Sequence, residues 1–337
     1  MDERKTTQAV FRLGDATSAG RPRRPWAVSA GLAAAGLVDT AMGVSRLARP
    51  IVLVNGFWRS GTTWLQECLA ESLGAKTIFE PLSPQEPRRR AALERHFPGD
   101  EDALQAFIPD PFPEGASDWR GLDAACRGMR GGAFLLSCRS GVMESARTAI
   151  VVKDVRLHKN LTTVHRRFGV PVVHLRRHPC AVAASLIAAD WHWSFSRVRL
   201  ARLMPAAGDL ATYDTDTLSR IAAYWSHVER HASRALEGQA WGRVLAYEDL
   251  VGDPGAVVAE LCAWLGRQQR GVPDFSRPAA SIHPEAFAAR AASPEPWRST
   301  LSGAEIERIE AIADAVFPEW RVSAPPCRRQ GRGTERA

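Results

Sequence analysis

The chain has 337 residues, enough for one large α/β domain or two modest ones. At 45% hydrophobic and 24% charged it has the composition of an ordinary soluble enzyme. The net charge of +7 suits an anionic ligand. It does not point to nucleic acid, because the excess sits in the terminal segments and in Arg88-Arg89-Arg90, with no interleaved aromatic pattern.

In chain order, residues 1–25 are polar, Arg/Pro-rich and expected to be disordered. Folded structure is expected over residues 26–322, followed by a second basic disordered tail over residues 323–337. Trp26 to Val38 is an apolar run, too short for a membrane span and interrupted by Asp39. Residues 26–47 are therefore expected to form a helix that packs beside the first strand or touches a membrane surface peripherally, with a secretory signal behind the N-terminal arginines as the alternative. Ile51-Val52-Leu53-Val54 is a β-branched run without alternation, the pattern of a parallel strand buried on both faces. Three similar runs follow, at Ala149–Val152, Val170–Leu175 and Arg243–Tyr247. Helical patterns at Thr63–Leu73, Leu161–Phe168, Ala181–Ala189, Leu218–Leu236, Ala256–Leu265 and Ser302–Val316 separate or follow them. This alternation predicts an α/β fold with a central parallel sheet flanked by helices. Residues 81–148, dense in proline, read as a loop-and-helix insertion on the same domain. Six cysteines with no paired spacing are read as reduced, which favours the cytoplasm. No metal-ligand spacing is apparent.

The chemistry concentrates where Val54-Asn55-Gly56-Phe57-Trp58-Arg59-Ser60-Gly61-Thr62-Thr63-Trp64 leaves a strand and opens a helix. Backbone N–H groups and the helix dipole in such a turn surround a phosphate. The nucleotide-triphosphatase pattern demands lysine where Thr62 stands, and the cation sits at Arg59 instead. Arg59 there suits a bridging oxygen that gains charge as a bond to it breaks. A second anion site is predicted where Arg177 ends a strand and Ser185 lies two turns into the helix that Pro179 starts.

Arg59-Ser60-Gly61-Thr62-Thr63-Trp64 resembles the 5′-phosphosulfate loop of the sulfotransferases that use 3′-phosphoadenosine 5′-phosphosulfate (PAPS). Arg176-Arg177-His178-Pro179 with Ser185 resembles that family's 3′-phosphate site. Tyr247-Glu248-Asp249-Leu250 and Trp297-Arg298 are supporting matches. The resemblance implies the P-loop sulfotransferase fold, PAPS as donor, and an acceptor hydroxyl on a small molecule or glycan. It implies donor contacts from Arg59, Ser60, Gly61, Thr62, Thr63, Arg177, Ser185, Tyr247 and Arg298, with Trp64 against adenine. The histidine base of the cytosolic branch is missing, since Val155 holds its place. Phe79-Glu80-Pro81 resembles the carbohydrate branch, which makes Glu80 the expected base. Its position at the end of an apolar stretch predicts a raised pKa. Asp154, His158 and His192 are reserve bases, and Lys153 is expected to face the sulfuryl oxygens. Asp190–Phe195 is expected to contribute to the acceptor site. Two alternatives stay open: a P-loop kinase using an acidic strand end near Asp154, and a non-catalytic nucleotide-binding relative.

Overall fold

The computed structural model describes residues 25–83, 117–129, 145–189, 213–276 and 295–321. Arg88–Arg90, Asp190–Phe195 and His192 lie outside these segments. Five parallel strands form one sheet: β1 (Arg49–Gly56), β2 (Lys76–Phe79), β3 (Ala149–Lys153), β4 (Val172–Arg176) and β5 (Gly242–Ala246). Their spatial order is β2-β3-β1-β4-β5. The predicted parallel sheet is therefore present, with β2 as a fifth strand that the four apolar runs did not announce.

The pleat sends alternate residues to opposite faces, and both faces are covered. Val52, Val54, Val151, Val173 and Leu175 pack under α2 (Thr62–Leu73), α7 (Tyr247–Gly252) and α8 (Pro254–Trp264). Leu53, Ile150, Val152 and Val172 face the other way. They meet α3 (Ser117–Cys126), α4 (Leu161–Phe168) and the end of α6 (Thr217–Leu236). A further apolar cluster joins α6 to α5 (Pro179–Ala188) and α9 (Gly303–Val316). The helix starts follow the sequence signals. Pro179 occupies the first turn of α5 behind the N-cap His178, and Ser302 with Glu305 closes a capping box on α9.

The N-terminal helix α1 (Pro25–Val44) buries a narrow stripe, Ala35, Asp39 and Gly43, while Leu37 and Val44 stay exposed. Asp39, which interrupts the apolar run in sequence, is fully buried against Lys76 of β2 at 2.9 Å. Lys76 Nζ also donates to the Ser145 carbonyl. A lysine inside a four-residue strand hid β2 from pattern reading. No helix among the described residues is long and apolar enough to cross a membrane. Cys68, Cys126, Cys180 and Cys262 are buried, and no disulfide joins them among the described residues.

Candidate active site

Strand order places the switch point between β1 and β4. The chain leaving β1 runs toward β2, while the chain leaving β4 runs the other way, toward β5. Ligands bind in the crevice that opens there at the carboxyl ends of the strands. The loop 57–61 fills this rim. Arg59 and Gly61 have φ of 66° and 89°, so the turn is left-handed at both positions. A Cβ on Gly61 would stand 2.6 Å from the Tyr247 ring, and one on Gly56 would stand 2.6 Å from the Leu175 carbonyl oxygen. Glycine is therefore required on both sides of the loop by close approach. Gly61 is also the N-cap of α2 and brings no side-chain cap. The first N–H groups of a helix have no intrahelical acceptor, so they are turned toward the rim. Ser60 Oγ is fully buried and makes no hydrogen bond.

The two anion sites predicted from sequence meet in space. Arg59 Nε donates to Ser185 Oγ at 3.0 Å, and Arg177 Nη1 donates to the Arg59 carbonyl at 2.9 Å. The Arg177 guanidinium lies over the Tyr247 ring, 4.4 Å from its centre. Burial first, and then the neighbouring Arg177 charge, hold the Arg59 guanidinium below its ordinary pKa. Such a place favours a negatively charged guest. Thr62 is buried with its methyl group toward Gly56, and Thr63 is half-buried. Arg298 lies in the 3-10 turn Pro296–Ser299, paired with Glu295 over the Trp297 ring. Trp297 stacks on His178 at 4.6 Å and so joins this turn to the start of α5.

Glu80 and Lys153 come together at the ends of β2 and β3, as a directly bonded ion pair. Arg156, which sequence reasoning missed, donates to the other carboxylate oxygen of Glu80 at 3.0 Å. The expectation of a raised Glu80 pKa is overturned. Burial pushes it up, but the charges and hydrogen bonds of Lys153 and Arg156 outweigh burial and bring it down to about 2. The Arg156 guanidinium also lies 5.7 Å from the Trp58 ring centre, which links this cluster to the phosphate loop. A cation two residues beyond Asp154 was the available signal.

Trp64 is buried in the core under α2, with 3% of its surface exposed, among Leu65, Leu69 and Val258. It presents no open ring face for a base. Asp154 accepts the N–H groups of Leu82 (2.7 Å) and Arg156 (2.8 Å), and burial raises its pKa. That carboxylate caps the turn after β3. His158 is buried, and burial, followed by the charges of His231, Lys159 and His174, lowers its pKa to about 3. A polar chain behind the loop was also missed. With the Asn55 amide nitrogen donating to the Asp154 carbonyl, its oxygen accepts from His174 Nδ1 at 2.7 Å. His174 Nε2 reaches Glu229 of α6 at 2.8 Å. Single polar residues inside apolar runs were the only signal for this chain.

Residues 50–270 match the model described as the Sulfotransferase family. The chain belongs to the sulfotransferase family. No curated protein sequence matches it. Among solved structures it is similar to a sulfotransferase domain from the curacin biosynthetic pathway. That similarity has 17% identity, TM-score 0.40, and covers 78% of this chain and 97% of that one. A sulfotransferase from Alicyclobacillus acidocaldarius gives 17% identity, TM-score 0.37, and 81% and 99% coverage. A retinol dehydratase in a complex with retinol and PAP gives 16% identity, TM-score 0.41, and 79% and 81% coverage. Membership in the sulfotransferase family rests on the family match.

Proposed function

We propose that this sulfotransferase takes its sulfuryl group from PAPS and delivers it to a hydroxyl of a carbohydrate or other small molecule. The observation that carries the reading is the junction of Arg59, Arg177 and Ser185 around an uncapped helix N-terminus. The buried, unbonded Ser60 Oγ and the glycine cradle at Gly61 fit an anionic group in the loop. Arg59, Ser60, Gly61, Thr62 and Thr63 would hold the 5′-phosphate end of the donor. Arg177 and Ser185 would hold the 3′-phosphate, with Tyr247 beneath and Arg298 at the edge. PAPS, when bound, supplies a sulfuryl group on a phosphate leaving group, and no metal is needed for that chemistry. The absence of lysine at Thr62 counts against a kinase, as does the use of Asp154 as a backbone cap.

Glu80 is the carboxylate proposed to accept the acceptor's proton. Lys153 donates to one of its oxygens and Arg156 to the other. When Lys153 Nζ turns to another anion, Glu80 Oε1 loses a hydrogen bond and a neighbouring charge, so its proton affinity rises. Arg156 keeps the carboxylate in place meanwhile. The reading is tested by calorimetry with 3′-phosphoadenosine 5′-phosphate (PAP), with ATP as control. Tight PAP binding that weakens on the order of 100-fold in Arg177→Ala supports it, as expected for the loss of charge-assisted bonds. Preference for ATP, or indifference to Arg177, refutes it.

A further inference from the structure

A cavity of about 490 Å³ lies between the turn that precedes α4 and one face of α6. Its lining includes Lys159, Arg230, Arg234, His158, His227 and His231, and no carboxylate among the described residues. The α6 contributors stand at positions 227, 230, 231 and 234, a spacing that aligns side chains on one helix face. Thr162, in the first turn of α4, also lines it, so the positive end of that helix dipole adds to the same field. Three permanently or usually charged side chains, three imidazoles and a helix start thus converge on one space. Two of these groups are already oriented. Arg230 donates through Nη1 to the Val316 carbonyl and through Nη2 to His227 Nδ1, both at 3.0 Å. Val228 and Ala235 leave part of the wall apolar.

We infer that this cavity is a second anion-binding site, separate from the donor crevice, for a small molecule bearing a carboxylate, sulfate or phosphate group. Its position gives that site a bearing on the reaction. The Tyr224 ring forms one wall, 6.5 Å from the His158 ring and 5.9 Å from Trp58, the neighbour of Arg59. One aromatic layer therefore separates the cavity from the phosphate loop. Burial lowers the pKa of His158, and neighbouring His231 and Lys159 act in the same direction. The inference stands whether or not PAPS is the donor, because none of the cavity residues contributes to the donor crevice.

Inorganic sulfate, titrated calorimetrically into the full chain presaturated with PAP, tests it. One sulfate is expected to bind, and Lys159→Ala and Arg234→Ala are each expected to weaken it at least about tenfold while PAP affinity stays unchanged. Alanine is the best helix former, so position 234 tolerates the change without loss of fold. A sulfate signal abolished by PAP, or unaffected by both variants, overturns the proposal. If PAP fails to bind while sulfate still depends on Lys159 and Arg234, the donor reading falls and this one stands. A matched pair, 4-nitrophenyl glucuronide and 4-nitrophenyl glucoside, identifies the source. Displacement of sulfate by the glucuronide alone assigns the cavity to a carboxylated sugar, and displacement by neither assigns it to a free anion. Equal displacement by both sugars overturns recognition by charge.

Discussion

The two halves of the sheet's carboxyl rim place their cations in different surroundings. At the ends of β2 and β3, Lys153 and Arg156 both donate to a carboxylate that the protein itself supplies, Glu80. At the ends of β1 and β4, the bonds observed from Arg59 and Arg177 go to a hydroxyl and a backbone carbonyl. Burial first, and then repulsion from the neighbouring Arg177 charge, lower the pKa of Arg59. The first half holds a carboxylate between two cations, and in the second two guanidinium groups lie close enough to repel each other. Both halves meet at the loop, through Arg156 over Trp58.

Predictions that probe this contrast run from large to small. Arg59→Ala removes the cation nearest the expected leaving group. Transfer measured with PAPS should fall about 100- to 1000-fold, the usual loss for one electrostatic donor at a reacting centre. Retained activity would break the comparison. Glu80→Gln keeps the shape but removes the anion of the other half. Turnover should fall at least about 100-fold, as for a lost general base, while PAP affinity stays within about threefold. A drop in PAP affinity of the same size as the drop in turnover would instead make Glu80 a binding residue.

The same carboxylate predicts a stability profile. Its folded pKa of about 2 lies below the ordinary 4.5, so its contribution is complete above pH 4.5 and is lost as pH falls toward 2. The difference corresponds to at most about 3 kcal/mol, and urea unfolding across that range should show a decline that is shallower in Glu80→Gln. Gly61→Ala forces a side chain into the left-handed turn and against Tyr247. It should lower stability by about 1–3 kcal/mol and weaken PAP binding, measured by thermal unfolding with and without PAP. Trp64→Phe should produce the smallest effect on function. As a core residue it should cost about 1–2 kcal/mol of stability with PAP affinity unchanged, and a large affinity loss would restore the adenine contact expected from sequence.

How far the site could be read in advance depended on the range of the interactions involved. The loop 57–61 was legible because strand, glycine turn and helix start are consecutive in sequence, and local backbone geometry dictates which residues fit. Arg177, Pro179 and Ser185 were legible for the same reason within one strand–helix unit. Glu80 stands out in sequence as a carboxylate ending an apolar stretch, and it directly follows β2 in the structure. Its charge state was misjudged because Lys153 and Arg156 lie more than seventy positions away. Trp64 had the right position in the motif, but α8 and the neighbouring strand side chains enclose it. Asp39 and Lys76 looked like interruptions of apolar patterns, and each is buried because the other neutralises it.

The sequence by itself determined the α/β alternation, the glycine turn between the first strand and its helix, and the helix caps at Pro179 and Ser302. These follow from periodicity and from backbone rules that act within a few residues. Only the tertiary structure decided that β2 completes the sheet, that Glu80 stands between two cations, and that Arg59 and Arg177 share one crevice. Electrostatic energy depends on distance in space and on burial, and neither is encoded in the spacing of residues along the chain.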